Sequence, residues 1–246
     1  MRRILVLGAT SSIARAIADR LCRRGDSVFL AARSSPELER IGRDLSVRYY
    51  GKRVRTAAFE ATDFEGHLDL IGRARKEMGG LDGVVCALGM LGEQPGDSWD
   101  AASARTLVDV NLTAAVSLIS LAVDVIAPGP EAFIVGLSSV AGERGRQSNY
   151  VYGAAKGRFS IFLDGLRNRL EKKGVRVYTA KLGFVDTGMT YGKEGLFLVA
   201  QPEQIARHIT RMLRRSSGVY YLPPFWRWIM LVIRLIPEPI FKRLEL

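Results

Sequence analysis

The chain has 246 residues and 48% hydrophobic content, which is enough to bury the core of one α/β domain. Its net charge is +11, but the arginines are scattered and form no basic platform, so we expect no nucleic-acid partner. Cys22 and Cys86 lie in apolar surroundings, and His67 and His208 have no ligand-like neighbours. We therefore expect reduced core cysteines and no metal site.

Short apolar runs alternate with segments of helical periodicity along the chain. The predicted strands are 3–7, 27–32, 54–59, 81–87, 132–137 and 175–182, and the predicted helices are 13–24, 36–47, 65–78, 102–126, 150–172 and 202–214. This alternation, with nearly continuous apolar strands, predicts an α/β fold with a doubly wound parallel sheet and helices on both faces. Residues 1–222 form this domain, and 223–246 form a hydrophobic, basic tail.

The first predicted strand leads into a turn of small residues, Gly8-Ala-Thr-Ser-Ser-Ile13. Such a turn at the start of a helix lets a pyrophosphate approach backbone N–H groups and the positive end of the helix dipole. Thr10, Ser11 and Ser12 can add hydroxyl donors. The alternative is a tight strand-to-helix turn without a ligand.

The first predicted strand begins at residue 3, and no signal-peptide pattern precedes it. We therefore expect a cytoplasmic protein.

The second predicted strand ends in Ala-Ala-Arg33-Ser34. NAD-binding proteins usually carry a carboxylate at the end of the second strand, where it binds the ribose 2′-hydroxyl. This sequence has no carboxylate at that position. A guanidinium beside a small hydroxyl suits a 2′-phosphate by charge and by geometry. The sequence therefore favours NADP(H) over NAD, unless Arg33 is only a surface residue.

Three further positions follow the next predicted elements. Asp63 comes after the third strand, where it either contacts a cofactor or caps the following helix. Gly89 follows the fourth strand and brings backbone close to the sheet edge. Asn111 lies among apolar residues of a predicted helix, where an amide is unfavourable unless it has partners. Asn111 is therefore a candidate functional residue.

The strongest pattern is Ser139, Tyr152 and Lys156 after the fifth predicted strand. Tyr152 and Lys156 are four residues apart, so they share one face of a helix. A nearby ammonium is expected to lower the pKa of the phenol and make it an acid/base group. The Ser139 hydroxyl can polarise a carbonyl. The alternative is an ordinary pair on a solvated helix face.

Together these residues make the chain similar to the short-chain dehydrogenase/reductase family, over about residues 3–222. The resemblance implies a single-domain Rossmann fold of about seven strands and a catalytic tetrad of Asn111, Ser139, Tyr152 and Lys156. In that family the tyrosine is the acid/base, the serine holds the substrate oxygen, the lysine also binds the nicotinamide ribose, and the asparagine orders a water. The implied cofactor-binding positions are Gly8, Thr10, Ser11, Ser12, Ile13, Arg33, Ser34, Asp63, Gly89, Asn111, Tyr152, Lys156, Gly183, Val185 and Thr187. Leu7, Ser12 and Ala14 depart from the family's glycine-rich pattern.

A narrower resemblance is to reductases that act on decaprenylphosphoryl-2-keto-ribose. It rests on Gly-Ala-Thr-Ser-Ser-Ile-Ala, on the segment 183–190 and on the tail. It implies a lipid-linked keto-sugar as the carbonyl substrate. The alternatives are a ketoacyl-carrier-protein reductase, or a non-catalytic NADP-binding sensor or scaffold. The family also implies a homodimer or homotetramer.

The tail contains an apolar run, 225–236, that is too short and too charged to span a membrane. On a helix, Arg227 and Arg234 lie seven residues apart on one stripe, and Lys242 and Arg243 follow. This pattern predicts either an interfacial helix on an anionic membrane or a contact with a second subunit.

Overall fold

A computed structural model describes residues 1–33, 36–50, 53–92, 100–192 and 195–244. Its strands are β1 Arg3–Leu7, β2 Ser27–Ala32, β3 Val54–Ala58, β4 Gly83–Cys86, β5 Phe133–Ser139, β6 Arg176–Leu182 and β7 Gly218–Leu222. The helices are α1 Ser12–Arg23, α2 Pro36–Arg48, α3 His67–Met78, α4 Ala101–Val108, α5 Ala114–Val123, α6 Tyr150–Glu171, α7 Pro202–Met212, α8 Trp226–Leu235 and α9 Glu238–Phe241. A π-helical turn, Asp109–Thr113, and a 3₁₀ helix, Val140–Glu143, complete the elements used below.

The seven strands form one parallel sheet in the order β3-β2-β1-β4-β5-β6-β7. The predicted doubly wound sheet is confirmed, and so are the six predicted strands, β1 and β2 with the predicted bounds and the others with ends shifted by one or two residues. Strand β7 was not recognised in the apolar pattern. The strand order reverses between β1 and β4, and the crevice at the carboxyl ends of such strands is where ligands of this architecture bind.

Two cores cover the two faces of the sheet. On one face, α1, α2 and α7 contribute Ile17, Leu45 and Ile209. On the other, α3, α5 and α6 pack through residues such as Ile71 and Leu118. Both faces are dry, which explains why the strands are apolar at nearly every position. Both cysteines are buried and free, as predicted.

The predicted helix 102–126 is divided into α4, the π turn and α5. By length and composition alone, the combined helix Ala101–Val123 could cross a membrane. Residues of α5 such as Leu118 and Ile119 belong to the second core, and core helices pass the same test. The π turn is the more informative feature, because such turns occur frequently at functional sites.

Helix α8 lies over the 3₁₀ helix that follows β5. Trp226 and Met230 on its inner side are buried against Val140. Its outer side exposes large apolar residues, and Trp228 is 64% exposed. The helix is thus apolar on two opposite sides, and the described residues cover only one of them.

Candidate active site

The carboxyl end of β5 and the first turn of α6 bring Ser139 and Tyr152 together. The connection is held tightly because the 3₁₀ helix touches α6 backbone to backbone. A Cβ atom on Gly142 would lie 2.5 Å from the amide nitrogen of Gly157, and one on Gly157 would lie 2.6 Å from the carbonyl oxygen of Gly142. Only glycine at both positions permits this approach.

The hydroxyl of Ser139 lies near the Tyr152 phenol. This hydroxyl accepts from the amide of Ala141 at 3.2 Å. Burial raises the pKa of Tyr152 to about 12, and the neighbouring Ser139 hydroxyl opposes this shift. The phenol is therefore protonated at neutral pH and is ready to give a proton.

Lys156 is buried one helical turn further along α6, with 3% of its surface exposed. Its ammonium donates to the carbonyl oxygens of Leu88 at 2.9 Å and Leu137 at 3.2 Å. Burial lowers its pKa to about 8, which a charge interaction with Cys86 partly offsets. It lies 5.9 Å from the centre of the Tyr152 ring. The two residues share a site as predicted, but the pKa of the phenol is raised, which is opposite to the predicted direction.

Asn111 is fully buried on the π turn and all of its amide groups have partners. Its Nδ2 donates to the carbonyl oxygens of Met90 at 2.7 Å and Leu107 at 2.9 Å, and its Oδ1 accepts from the amide of Met90 at 3.3 Å. These bonds resolve the predicted conflict of an amide within an apolar helix. A Cβ on Gly89 would lie 3.3 Å from this Oδ1 and 3.2 Å from the Lys156 ammonium, so Gly89 sits between the two residues.

The turn after β1 has the features of a phosphate site. Gly8 has a φ of +77°, and a Cβ there would lie 2.8 Å from the carbonyl oxygen of Ala87, so β1 and β4 meet closely. The Ser11 hydroxyl caps α1 by accepting from the amide of Ala14 at 3.1 Å. Thr10 and Ser12 are exposed at the helix N-terminus, and Ile13 is half-buried. The hydroxyl-rich helix end is therefore open to an anion.

Fewer contacts describe the residues predicted to bind the adenosine half of a dinucleotide. Arg33 is exposed directly after β2, and no described carboxylate forms an ion pair with it. Ser34, predicted beside it, lies outside the described residues. Asp63 is exposed and accepts from the amide of Gly66 at 3.3 Å, just before α3. This bond lies within the turn before α3, whose N-cap residue is Gly66, so Asp63 is not the N-cap of that helix.

Gly183, Val185 and Thr187 follow β6 at the same edge of the sheet. The Gly183 amide donates to Leu222 on β7 at 3.1 Å, and Val185 pairs with Ala200. The Thr187 amide donates to the Thr190 hydroxyl at 3.0 Å. These bonds hold the loop after β6 against the sheet, at the edge where Ser139 ends β5.

The described residues fit a nicotinamide dinucleotide. Two backbone segments approach the sheet edge where a side chain would intrude, at Gly8 and at Gly89. The open N-terminus of α1 suits the pyrophosphate, and Lys156 and Asn111 stand at the other end of the same edge. Gly8 and Gly89 therefore approach the same sheet edge at which Lys156 and Asn111 lie.

Several residues near the site were missed in the sequence. Arg144 donates to the carbonyl oxygens of Ile233 and Ile236, both at 2.6 Å, and so ties the end of α8 to the segment after Ser139. Glu143 accepts from Lys181 at 2.7 Å and from the Tyr221 hydroxyl at 2.5 Å. These contacts join residues about 40 to 90 positions apart in the chain, so local sequence patterns do not predict them.

A parallel sheet with a dinucleotide crevice and a Ser-Tyr-Lys-Asn site defines an oxidoreductase that uses a nicotinamide cofactor. A family model described as short chain dehydrogenase matches residues 2–194. The chain belongs to this family, as its motifs had indicated. It is 36% identical over 245 residues to an uncharacterized oxidoreductase of Streptomyces coelicolor, a match that covers 99% of this chain and 96% of that protein.

Solved structures show the same fold. A short chain dehydrogenase from Burkholderia cenocepacia in complex with NADP has a TM-score of 0.81 at 21% identity, covering 89% of this chain and 94% of that one. One from Mycobacterium paratuberculosis bound to NAD has a TM-score of 0.78 at 21% identity, covering 89% and 95%. Both nicotinamide dinucleotides thus occur on this fold.

Proposed function

We propose that the protein is an NADP(H)-dependent reductase or dehydrogenase that interconverts a carbonyl and an alcohol. The observation that supports this most strongly is the shared placement of Ser139, Tyr152, Lys156 and Asn111 at one sheet edge. A non-catalytic dinucleotide sensor or scaffold would not require this arrangement.

Each residue has a chemical task in this proposal. The dinucleotide supplies the hydride when it is bound. Tyr152, protonated at neutral pH, donates its proton to the carbonyl oxygen, and Ser139 orients the phenol and the substrate oxygen by hydrogen bonding. The ammonium of Lys156 stabilises the phenolate that remains, because it lies over the same ring. Asn111 fixes the 88–90 segment against Lys156.

The preference for NADP(H) rests on Arg33. It is exposed at the end of β2, and neither Ala31 nor Ala32 offers a carboxylate to the ribose. A guanidinium there, with no ion pair to any carboxylate of the described ranges, attracts a 2′-phosphate.

We further propose that the substrate is lipid-linked, such as a keto-sugar on a polyprenyl phosphate. The support is the outer surface of the tail. Trp228 and Leu231 line a cavity of about 510 Å³ together with the basic residues Lys181, Arg227 and Arg234. Aromatic and cationic side chains in one place suit an anionic membrane surface. A cytoplasmic enzyme would meet its lipid substrate there.

Separate experiments distinguish the membrane contact proposed for the tail from an oligomer contact, and a lipid-linked substrate from a ketoacyl thioester. A homodimer or homotetramer formed through the outer side of α8 would appear as an Arg227-independent oligomer in sedimentation analysis. Membrane contact would appear as co-sedimentation with vesicles of anionic but not zwitterionic lipid, weakened in Arg227→Ala. A ketoacyl-carrier-protein reductase would turn over a ketoacyl thioester without vesicles.

Dinucleotide titration tests the cofactor assignment directly. Excited tryptophans should transfer energy to bound NADPH, so NADPH fluorescence is expected to rise on binding. We expect tighter binding of NADPH than of NADH, and Arg33→Ala should weaken NADPH binding by roughly tenfold or more while leaving NADH unchanged. Arg40, an exposed arginine of α2, provides the matched control as Arg40→Ala. Equal affinities for both dinucleotides in the wild type would contradict the NADP(H) assignment.

A further inference from the structure

Buried polar atoms without hydrogen-bond partners gather around the segment between Ser139 and Tyr152. Among the described residues there are five such side-chain atoms: Glu143 Oε2, Arg146 Nε, Asn149 Oδ1, Arg176 Nε and Trp226 Nε1. All but Arg176 lie on this segment or on α8, which covers it. An unsatisfied buried polar atom is costly, and an absent ligand is one physical explanation for it.

Arg146 is the most unusual member of the group, because it is only 9% exposed and carries a charge. No carboxylate in the described part of the chain forms an ion pair with it. Its Nη2 lies 3.6 Å from the sulfur of Met230, which is a weak acceptor. Burial lowers the pKa of its guanidinium. A buried cation in contact with a thioether lacks the partner that such groups normally have.

Two hydrogen-bonded turns connect Arg146 to the catalytic helix. The amide of Asn149 donates to the carbonyl oxygen of Arg146 at 3.2 Å, and the amide of Gly153 donates to that of Asn149 at 2.8 Å. Gly153 directly follows Tyr152 in the chain. Arg146 is therefore fixed to the same rigid unit that carries the acid/base group.

Trp226 on α8 carries another buried donor that has no partner among the described residues. It is 1% exposed, and it packs with Val140 and Met230. Its indole nitrogen lies so close to Gly183 that a Cβ there would be 1.8 Å away. Trp226 thus stands between the residue after Ser139 and the loop after β6, and Met230 adjoins both Trp226 and Arg146.

We propose that Arg146 forms a subsite under α8 for an oxyanion of the substrate, either a carboxylate or a phosphate. Guanidinium N–H groups are donors only, and oxyanions are acceptors only. The inference rests on the proposed carbonyl chemistry insofar as the anion belongs to the substrate. It adds a charged group to the description of that substrate.

Thermal unfolding tests the subsite without any turnover. Arg146→Met replaces the guanidinium by an apolar chain next to Met230, so the variant should melt at a higher temperature than the wild type if the charge serves a ligand. Arg144→Met is the matched control, because the Arg144 guanidinium donates to two carbonyl oxygens and to Glu238, and its loss should lower the melting temperature. A fall for Arg146→Met comparable to that of Arg144→Met would show a structural role and overturn the proposal.

Added anions complete this test. Phosphate and acetate, compared with chloride at equal ionic strength, should raise the melting temperature of the wild type more than that of Arg146→Met, because a ligand stabilises only the state that binds it. An increase in melting temperature that phosphate causes equally in the wild type and in Arg146→Met would indicate phosphate binding at the N-terminus of α1. The relative effects of phosphate and acetate identify the preferred oxyanion. Equal shifts in both proteins for both anions would contradict the subsite.

Matched carbonyl compounds then connect the subsite to the reaction. Arg146→Met should raise KM roughly 10- to 100-fold for 4-oxobutanoate and for dihydroxyacetone phosphate, the loss of one charged hydrogen bond. It should leave KM for methyl 4-oxobutanoate and dihydroxyacetone unchanged. An equal change for charged and neutral partners would contradict the subsite. If the wild type reduces none of these compounds, the carbonyl chemistry proposed above is in question, whereas the melting comparison still decides the subsite.

Discussion

The ammonium of Lys156 lies 5.9 Å from the centre of the Tyr152 ring, and its hydrogen bonds go to the carbonyl oxygens of Leu88 and Leu137. The hydroxyl near the phenol is that of Ser139. Burial dominates both titrations, raising the pKa of the tyrosine to about 12 and lowering that of the lysine to about 8. The proposed reaction therefore begins with a protonated phenol, which suits carbonyl reduction.

Removing the phenol hydroxyl of Tyr152 should impair proton transfer without affecting the binding of the dinucleotide. We expect Tyr152→Phe to lower kcat by about 10²- to 10⁴-fold while NADPH binding persists, because general acid catalysis contributes that much. Tyr150→Phe is the control, since Tyr150 begins the same helix and its side chain is exposed. Steady-state kinetics and the NADPH titration measure both effects. A Tyr152→Phe variant with wild-type turnover would mean that another group donates the proton.

The buried lysine predicts a pH dependence of stability. Its pKa falls from the ordinary 10.5 to about 8 on folding, so the unfolded state binds more protons between these values. The lysine therefore destabilises the fold most below pH 8, and stability gains as the pH rises from about 8 to 10.5. Cys86 acts in the opposite direction from pH 9 to about 11, because burial raises the pKa of its thiol.

Lys156→Met isolates this effect, because Cys86 is common to both proteins. The variant should be more stable than the wild type at pH 7, and the difference should shrink as the pH rises toward 10.5. Urea unfolding at several pH values gives the free energies. A difference that stays constant with pH would show that Lys156 does not change its protonation on folding.

Much of this architecture could be predicted from local sequence patterns. The six strands and the spacing from Ser139 to Lys156 are local features, since each depends on apolar runs or helical periodicity. Strand β7 was missed because it is an edge strand whose Tyr220 and Tyr221 are only half-buried, so its alternation is weak. The π turn at Asn111 was also missed, because its cause is a contact with Met90, 21 residues away.

The interior contacts of the tail could not be predicted in this way. The sequence pattern of α8 identifies an apolar helix with arginines, but it does not say which side packs inward. Helix α8 follows β7 in the chain and packs on the segment after Ser139, and this packing buries Trp226 and Met230. Arg146 is buried by the same packing. That no carboxylate in the described ranges forms an ion pair with Arg146 follows only from the folded structure.

Asn111 should contribute to stability as well as to the site. Asn111→Ala removes the donor to the buried carbonyl oxygen of Leu107 and to the partly buried carbonyl oxygen of Met90. We expect a loss on the order of 2–4 kcal/mol in the free energy of unfolding, since each unsatisfied group costs about 1–3 kcal/mol. Thr113→Ala, an exposed position on the same π turn, should change it by less than about 0.5 kcal/mol. Similar unfolding free energies for the two variants would contradict the role given to these bonds.

Two glycines of α6 should respond in opposite ways to alanine. Gly157→Ala places a methyl group 2.6 Å from the carbonyl oxygen of Gly142, so it pushes the 3₁₀ helix away from α6. Overpacking of this kind costs about 1–3 kcal/mol, and the displacement separates Ser139 from Tyr152. Gly165→Ala meets no atom within 4 Å and should stabilise the helix by about 0.5–1 kcal/mol.

Chemical denaturation and kinetics of the two variants therefore test what holds the site together. If the backbone contact between α6 and the 3₁₀ helix positions the acid, Gly157→Ala should lower kcat by more than its stability loss alone explains, even well below its unfolding temperature. Gly165→Ala should keep wild-type kcat. Wild-type kcat in a folded Gly157→Ala protein would show that Ser139 and Tyr152 keep their geometry without the close approach of the two glycines.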